Sequence, residues 1–177
     1  MSLVYKIALT GPESAGKSTL SSQLANEFGT LSVPEYARTY MSALHRPYNF
    51  QDIEIIARKQ VELGNQLLSR SRQFLFFDTH LIIIKVWFLL LYKDYPVWID
   101  EELRRKSIDL FLLCNYDLPW EPDPLRENGG EMRRILFNIY KNELEYYGYP
   151  YFIISGSEGE RFNHAKEAVS NFFKLSG

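Results

Sequence analysis

Lys17 is the first residue with evident chemical purpose. It stands in GPESAGKST, Gly11 to Thr19, where four residues separate Gly11 from Gly16 and Lys17 and Ser18 follow at once. This is the Walker-A spacing, with an apolar run before it and a helical pattern after it. Glycines let the backbone turn so that successive N–H groups point into one hollow, which suits phosphate oxygens. The start of the following helix adds partial positive charge. Lys17 supplies a mobile cation for the outer phosphates, and the Ser18 hydroxyl is a ligand for Mg²⁺. The phosphate-binding set is therefore expected to be Gly11, Glu13, Ser14, Ala15, Gly16, Lys17, Ser18 and Thr19.

Other residues with chemical potential follow apolar runs. VPEYAR places Glu35 and Arg38 after one run, and FFDTH places Asp78 after another. An acid at the end of a buried strand suits Mg²⁺ coordination, direct or through water, and also suits a helix N-cap. Glu35 or Asp78 is expected to take a proton from an acceptor hydroxyl. The segment Pro119–Gly130 holds three prolines and two glycines, contains Arg126, and runs into Arg133 and Arg134. A loop of that composition followed by arginines suits a lid that excludes water and neutralises a transferring phosphoryl group. Trp120, in the same polar loop, is the aromatic placed to stack on a flat ring. Trp87 and Trp98 are expected in the core. His45, His80 and His164 are scattered without ligand spacing.

These residues need a scaffold that brings strand ends together. Strands are expected at Val4–Thr10, Leu31–Val33, Phe74–Phe77, Asp109–Cys114 and Tyr151–Ser155. Helices are expected at Lys17–Phe28, Phe50–Arg70 with Asn49 as cap, Glu131–Tyr147 and Glu160–Leu175. Leu81–Tyr92 is ambiguous: its length favours a helix, while Ile82, Ile83 and Ile84 are β-branched. Strands alternating with helices imply right-handed crossovers and a parallel sheet, with ligands at the strands' carboxyl ends.

Composition agrees with one domain over residues 1–177. The net charge of −2 gives no basis for a nucleic-acid or anionic-membrane surface. The single cysteine, Cys114, lies in an apolar run and is expected to be buried and inert. No signal peptide opens the chain, and its longest apolar stretch, Leu81–Tyr92, is shorter than the roughly 20 residues a spanning helix needs. The expected location is the cytoplasm.

GPESAGKST, VPEYAR, FFDT, a Trp followed by D-x-L-R, and R-x-x-F together resemble the ribosylnicotinamide kinase domain of NadR-type bacterial proteins, from Ile7 to about Ala168. The resemblance implies an α/β P-loop fold: a three-layer sandwich with a central parallel five-stranded sheet, like nucleoside and nucleotide kinases, with a lid at about residues 119–134. It implies ATP and Mg²⁺, and phosphorylation of the 5′-hydroxyl of nicotinamide riboside. By position, Lys17, Glu35, Asp78, Arg126 and Arg134 are the catalytic residues, with Mg²⁺ at Ser18 and Asp78. Glu35, Arg38, Asp78, Trp120 and the lid acid Asp123 face the acceptor, a small nucleoside. Adenine is expected near Ser155–Gly156. The chain departs from the family where D-T-D becomes Asp78-Thr79-His80, where D-G-L-R becomes Asp123-Pro124-Leu125-Arg126, and where threonines become Ile83 and Ile84. Full-length members also carry a nucleotidyltransferase domain, so this chain is expected to make the mononucleotide and go no further. A kinase for another nucleoside or metabolite, and a regulatory ATPase, are the competing readings.

Overall fold

Apolar runs buried on both sides build the centre of the fold. The computed structural model describes residues 3–174. Five strands, β1 (Tyr5–Thr10), β2 (Leu31–Val33), β3 (Phe74–Asp78), β4 (Leu110–Cys114) and β5 (Tyr151–Ile154), form one sheet in the order β2-β3-β1-β4-β5. All four pairings are parallel, with Ile7 of β1 opposite Phe76 of β3 and Leu110 of β4. Successive side chains of a strand go to opposite faces. Ala8, Leu75, Phe77, Phe111 and Leu113 thus meet one helical layer. Ile7, Leu9, Phe74, Phe76, Leu110, Leu112 and Cys114 meet the other.

The second of these layers consists of α1 (Lys17–Glu27) and α7 (Glu158–Phe172). The first consists of α3 (Phe50–Leu68), α4 (Leu81–Tyr92), α5 (Val97–Arg104) and α6 (Glu131–Tyr147). The three-layer α/β sandwich expected of a P-loop protein is therefore present. Leu175, the expected end of the last helix, lies outside the described residues. Among the described residues, no helix is long and apolar enough to cross a membrane.

Leu81–Tyr92 is a helix in spite of its isoleucines. It packs against α3, α5 and α6, so tertiary burial outweighs its low intrinsic helix propensity. Lys85, inside this apolar helix, is only 4% exposed. Its Nζ donates to Glu143 of α6 at 2.5 Å and lies 4.8 Å from the Tyr147 ring and 5.0 Å from the Tyr95 ring. Carboxylate and aromatic faces offset the cost of burying the charge.

Two short helices have no expected counterpart: α5, and α2 (Tyr36–Ser42), which follows directly from Glu35. Neither is long enough to show a reliable apolar period. Asn49, as expected, caps α3. Its side chain accepts from the Asp52 N–H at 3.1 Å, and Asp52 accepts from the Asn49 N–H at 2.8 Å, a reciprocal capping box.

Candidate active site

The phosphate cradle sits where β1 turns into α1. Gly11 has φ 142°, and a Cβ there would lie 2.5 Å from the Cys114 carbonyl oxygen of β4. Gly16 has φ 74° and Ser14 φ 55°, so the loop winds through left-handed conformations that turn its N–H groups inward. α1 starts without a side-chain cap and without an acid in its first turn. Its first N–H groups and the positive end of its dipole therefore face the cradle unopposed. Lys17 Nζ donates to the carbonyls of Gly11 at 2.9 Å and Pro12 at 2.7 Å, folding the ammonium over the loop.

Two buried arginines support the cradle from beneath. Arg133 of α6 donates from Nε to Glu13 O at 3.1 Å, from Nη2 to Ser14 O at 3.1 Å, and from Nη1 to Leu118 O at 2.9 Å. Arg161 of α7 donates to the carbonyls of Ile154 at 3.0 Å and Gly156 at 3.2 Å and pairs with Asp117. Asp117 also accepts from the Gly156 N–H at 2.8 Å, knitting together the loops that follow β4 and β5. Sequence reasoning grouped Arg133 with Arg134 as the arginines behind the lid and assigned Arg161 no role. The available signal was position: Arg133 shares a helix face with Leu136, Phe137 and Tyr140, and Arg161 shares one with Ala165 and Ala168. A cation on an apolar stripe requires acceptors inside the fold.

Arg134 faces away. It is exposed on α6, its Nε donates to Glu131 at 2.6 Å, and it does not line the cavity. The expectation that Arg134 gathers phosphoryl charge is corrected by geometry: one residue along a helix is about 100° of rotation, and Arg133 takes the inward face.

Glu35 and Asp78 come together at neighbouring strand ends. Gln60 of α3, itself buried, accepts from the Tyr36 N–H at 2.9 Å and donates to Pro34 O at 3.1 Å, clasping the chain on both sides of Glu35. Burial raises the Glu35 pKa above its usual 4.5; the cation Lys17 pulls it down and the anion Asp78 pushes it up. Burial likewise raises Asp78, against the lowering effects of the Ser18 hydroxyl, Lys17 and Arg38. Asp78 is 6% exposed, and its Oδ1 has no hydrogen-bond partner; the Thr10 hydroxyl is also unpartnered. The Asp78 carboxylate, with its unpartnered Oδ1 and the Ser18 hydroxyl beside it, offers oxygens that fit a hard divalent cation such as Mg²⁺. Thr79, at φ 76°, makes the tight turn that leaves Asp78 at the strand end. His80 turns into the core between Phe77 and Phe111, and burial lowers its pKa to about 3, so it is neutral. Cys114 is buried as expected, its thiol pushed up to about 11.

One cavity of about 650 Å³ joins these parts. Gly11, Glu13, Ser14, Ala15, Gly16, Lys17, Ser18 and Thr19 line it, as do Glu35, Arg38 and Arg126. Its apolar wall is made by Met41, Ile83, Leu90, Tyr48 and Trp87. The rings of Tyr48 and Trp87 meet edge to face, 5.2 Å apart, and Trp87 Nε1 donates to the Tyr48 hydroxyl at 3.3 Å. Trp87, partly buried against the core, is thus also a wall of the cavity. Trp120, expected to stack on a ring there, does not line it. Its indole is covered by Gly129, where a Cβ would come within 3.2 Å of it. The Pro-rich loop folds back and uses its own tryptophan as packing.

That loop lies closed against the rest of the site. Ser14 Oγ accepts from the Glu121 N–H at 3.2 Å, and Glu13 accepts from the Asn128 N–H at 2.9 Å. Arg38 pairs with Asp123 at 2.9 Å, and the Tyr48 hydroxyl donates to Glu127 at 3.2 Å. Arg38 and Asp123 therefore meet each other, with Asp123 behind the cavity wall. Arg126 donates to Glu121 O at 2.6 Å.

An α/β fold with this cradle, these strand-end acids and this closing loop is that of a P-loop protein. Residues 6–161 match the model of AAA_28, an AAA domain family, and the chain belongs to that family. It is 29% identical over 155 residues to the trifunctional NAD biosynthesis/regulator protein NadR of Salmonella typhimurium, a match covering 81% of this chain. The chain spans about 37% of that curated relative's length. Among solved structures, a NadR protein in complex with NR superposes with TM-score 0.80 at 22% identity, over 98% of this chain and 52% of that one. Deoxyadenosine kinase from M. mycoides with bound dATP superposes with TM-score 0.60 at 19% identity, over 94% of this chain and 99% of that one.

Proposed function

We propose that this chain is an ATP-dependent kinase that phosphorylates the 5′-hydroxyl of nicotinamide riboside, giving the mononucleotide of NAD salvage. The observation that carries the reading is one cavity that holds a phosphate cradle, the Glu35 carboxylate and an aromatic wall of Tyr48 and Trp87, with the buried Asp78 at the adjoining strand end. Similarity to NadR, whose name describes NAD biosynthesis and whose structure was solved with NR, supports the choice of acceptor.

The roles follow from position. The N–H groups of residues 11–18 and the Lys17 ammonium hold the donor's phosphates. Ser18 and Asp78 would hold Mg²⁺, which when bound neutralises phosphate charge. Glu35 or Asp78 accepts the proton of the acceptor hydroxyl as its oxygen bonds to the γ-phosphorus. The bond from that phosphorus to the bridging oxygen breaks, and the electron pair leaves with ADP. Burial raises the proton affinity of both carboxyls, as a base working near neutral pH requires. Arg126 supplies positive charge from the lid, which spans about residues 119–134 of a single kinase unit. Tyr48 and Trp87 replace Trp120 as the aromatic pair for the base. Arg38 and Asp123 fasten the lid and act on the acceptor through that closure. ATP and NAD salvage place the reaction in the cytoplasm.

The test is ADP release from ATP·Mg²⁺ with a nucleoside panel, using Lys17→Ala as the inactive control. Acceptor-dependent release with nicotinamide riboside, lost in Lys17→Ala, is expected. Release at one rate with and without any acceptor would identify an ATPase and end the kinase reading.

A further inference from the structure

The polar atoms of the aromatic wall are already spent on each other. The Tyr48 hydroxyl accepts from Trp87 Nε1 at 3.3 Å and donates to Glu127 Oε2 at 3.2 Å. A wall whose donors and acceptors are occupied does not read the hydrogen-bonding edge of a base, as a purine site does. It offers π faces, the apolar side chains of Met41, Ile83 and Leu90, and the charge of Glu127, while the adjacent Arg126 is turned to the Glu121 carbonyl at 2.6 Å and lies 3.9 Å from the Glu121 carboxylate. The neighbouring Arg38 is neutralised by Asp123 at 2.9 Å, and Glu13 is occupied by Asn128. Glu127 accepts only from a neutral phenol, so its negative charge is uncompensated by that contact. We infer that Glu127 makes this pocket selective for a flat ring carrying a positive charge, over a neutral ring of the same shape.

The physics has two parts. A cation over an indole or phenol face is attracted by the ring quadrupole, and a carboxylate at the edge of the same face adds a coulombic attraction that a neutral ring does not feel. Water reaches Glu127, so the discrimination is moderate, about tenfold. Glu127 arrives on the lid, so the charge is in place only when the lid meets Tyr48, and selection is coupled to closure.

The inference rests on the acceptor pocket proposed above, and two measurements separate the two. The first is kcat/KM for nicotinamide riboside and for its reduced 1,4-dihydro form, which keeps the ring atoms and loses the charge. The wild type is expected to favour the cation about tenfold, and Glu127→Gln to bring the ratio close to one, mainly through the KM of the cation. An unchanged ratio in Glu127→Gln, or an equal fall for both ribosides, would overturn the inference while leaving the kinase reading intact. The second is calorimetric binding of 1-methylnicotinamide, a cation, against neutral nicotinamide, which needs no turnover. Tighter binding of the cation by wild type and equal binding by Glu127→Gln is expected even if neither riboside is phosphorylated, an outcome that would end the kinase reading alone. Equal binding of the two rings by wild type would overturn the inference.

Discussion

Arg133 and Arg134 are neighbours on α6 and point to different sides of it: Arg133 is buried and bonded to the carbonyls of the phosphate loop, whereas Arg134 lies in solvent against Glu131. The difference is one residue of helix rotation, fixed by Leu136, Phe137 and Tyr140 packing inward.

This pair makes the first prediction. Arg133→Met removes three donors to partly buried carbonyls, and an orphaned group costs up to about 1–3 kcal/mol where water cannot reach it. A lower melting temperature and a roughly tenfold higher KM for ATP are expected, as the loop loses its support. Arg134→Ala removes an exposed ion pair worth under about 1 kcal/mol and is expected to match wild type in both. Thermal melts and ATP titrations check it; a large kcat loss in Arg134→Ala would restore that residue to the phosphoryl site.

The two acids should separate by substitution. Glu35→Gln and Asp78→Asn keep shape and remove charge. The base variant is expected to lose kcat by two orders of magnitude or more with little change in acceptor KM. The metal-side variant is expected to regain part of its rate in Mn²⁺. Because burial raises both pKa values, the active deprotonated form is lost as pH falls through a value above the ordinary carboxylate range. The acid limb of kcat/KM should lie above pH 4.5 and disappear in the base variant. Wild-type rates in both variants would move the active site elsewhere.

The aromatic wall has its own signature. Trp87→Ala is expected to raise the KM for nicotinamide riboside about tenfold, the scale of a lost cation–π contact, and to leave the KM for ATP nearly unchanged. Trp120→Ala acts by loosening the lid under Gly129, so both constants should rise together. Steady-state titration of both substrates in the two variants decides the matter; the reverse pattern would return the ring to Trp120.

Asp52 links acid stability to the loop that carries Tyr48. It accepts from Arg46 at 2.7 and 2.8 Å, from the Tyr40 hydroxyl at 2.7 Å and from the Asn49 N–H at 2.8 Å. The Arg46 guanidinium, then the Tyr40 hydroxyl, hold its carboxyl well below the usual carboxylate range. A depressed folded-state pKa contributes stability above the unfolded value of about 3.9, lost as pH falls toward the folded one. Asp52→Asn is therefore expected to melt lower than wild type at pH 7, with the gap closing below about pH 4. A gap independent of pH would remove the ionised Asp52 as its cause.

The phosphate loop, the five strands and the main helices were legible in the chain because each is set by neighbours in sequence. Gly11 and Gly16 allow the turn, Asn49 and Asp52 cap the helix, and runs such as Phe74–Phe77 bury a strand on both faces. The same local rules bring Glu35 and Asp78 to the ends of strands. What tertiary structure alone decided is which side chain faces the cavity once the helices have rotated onto the sheet. Trp87 was an apolar residue in an apolar helix until packing turned it toward Tyr48, which lies 39 residues away in the chain. Trp120 lost its expected place because its loop folded over it, and Arg133 replaced Arg134 because one face of α6 was already committed to the core. Local propensity carries no term for these contacts between distant residues; they exist only after the layers have closed on one another.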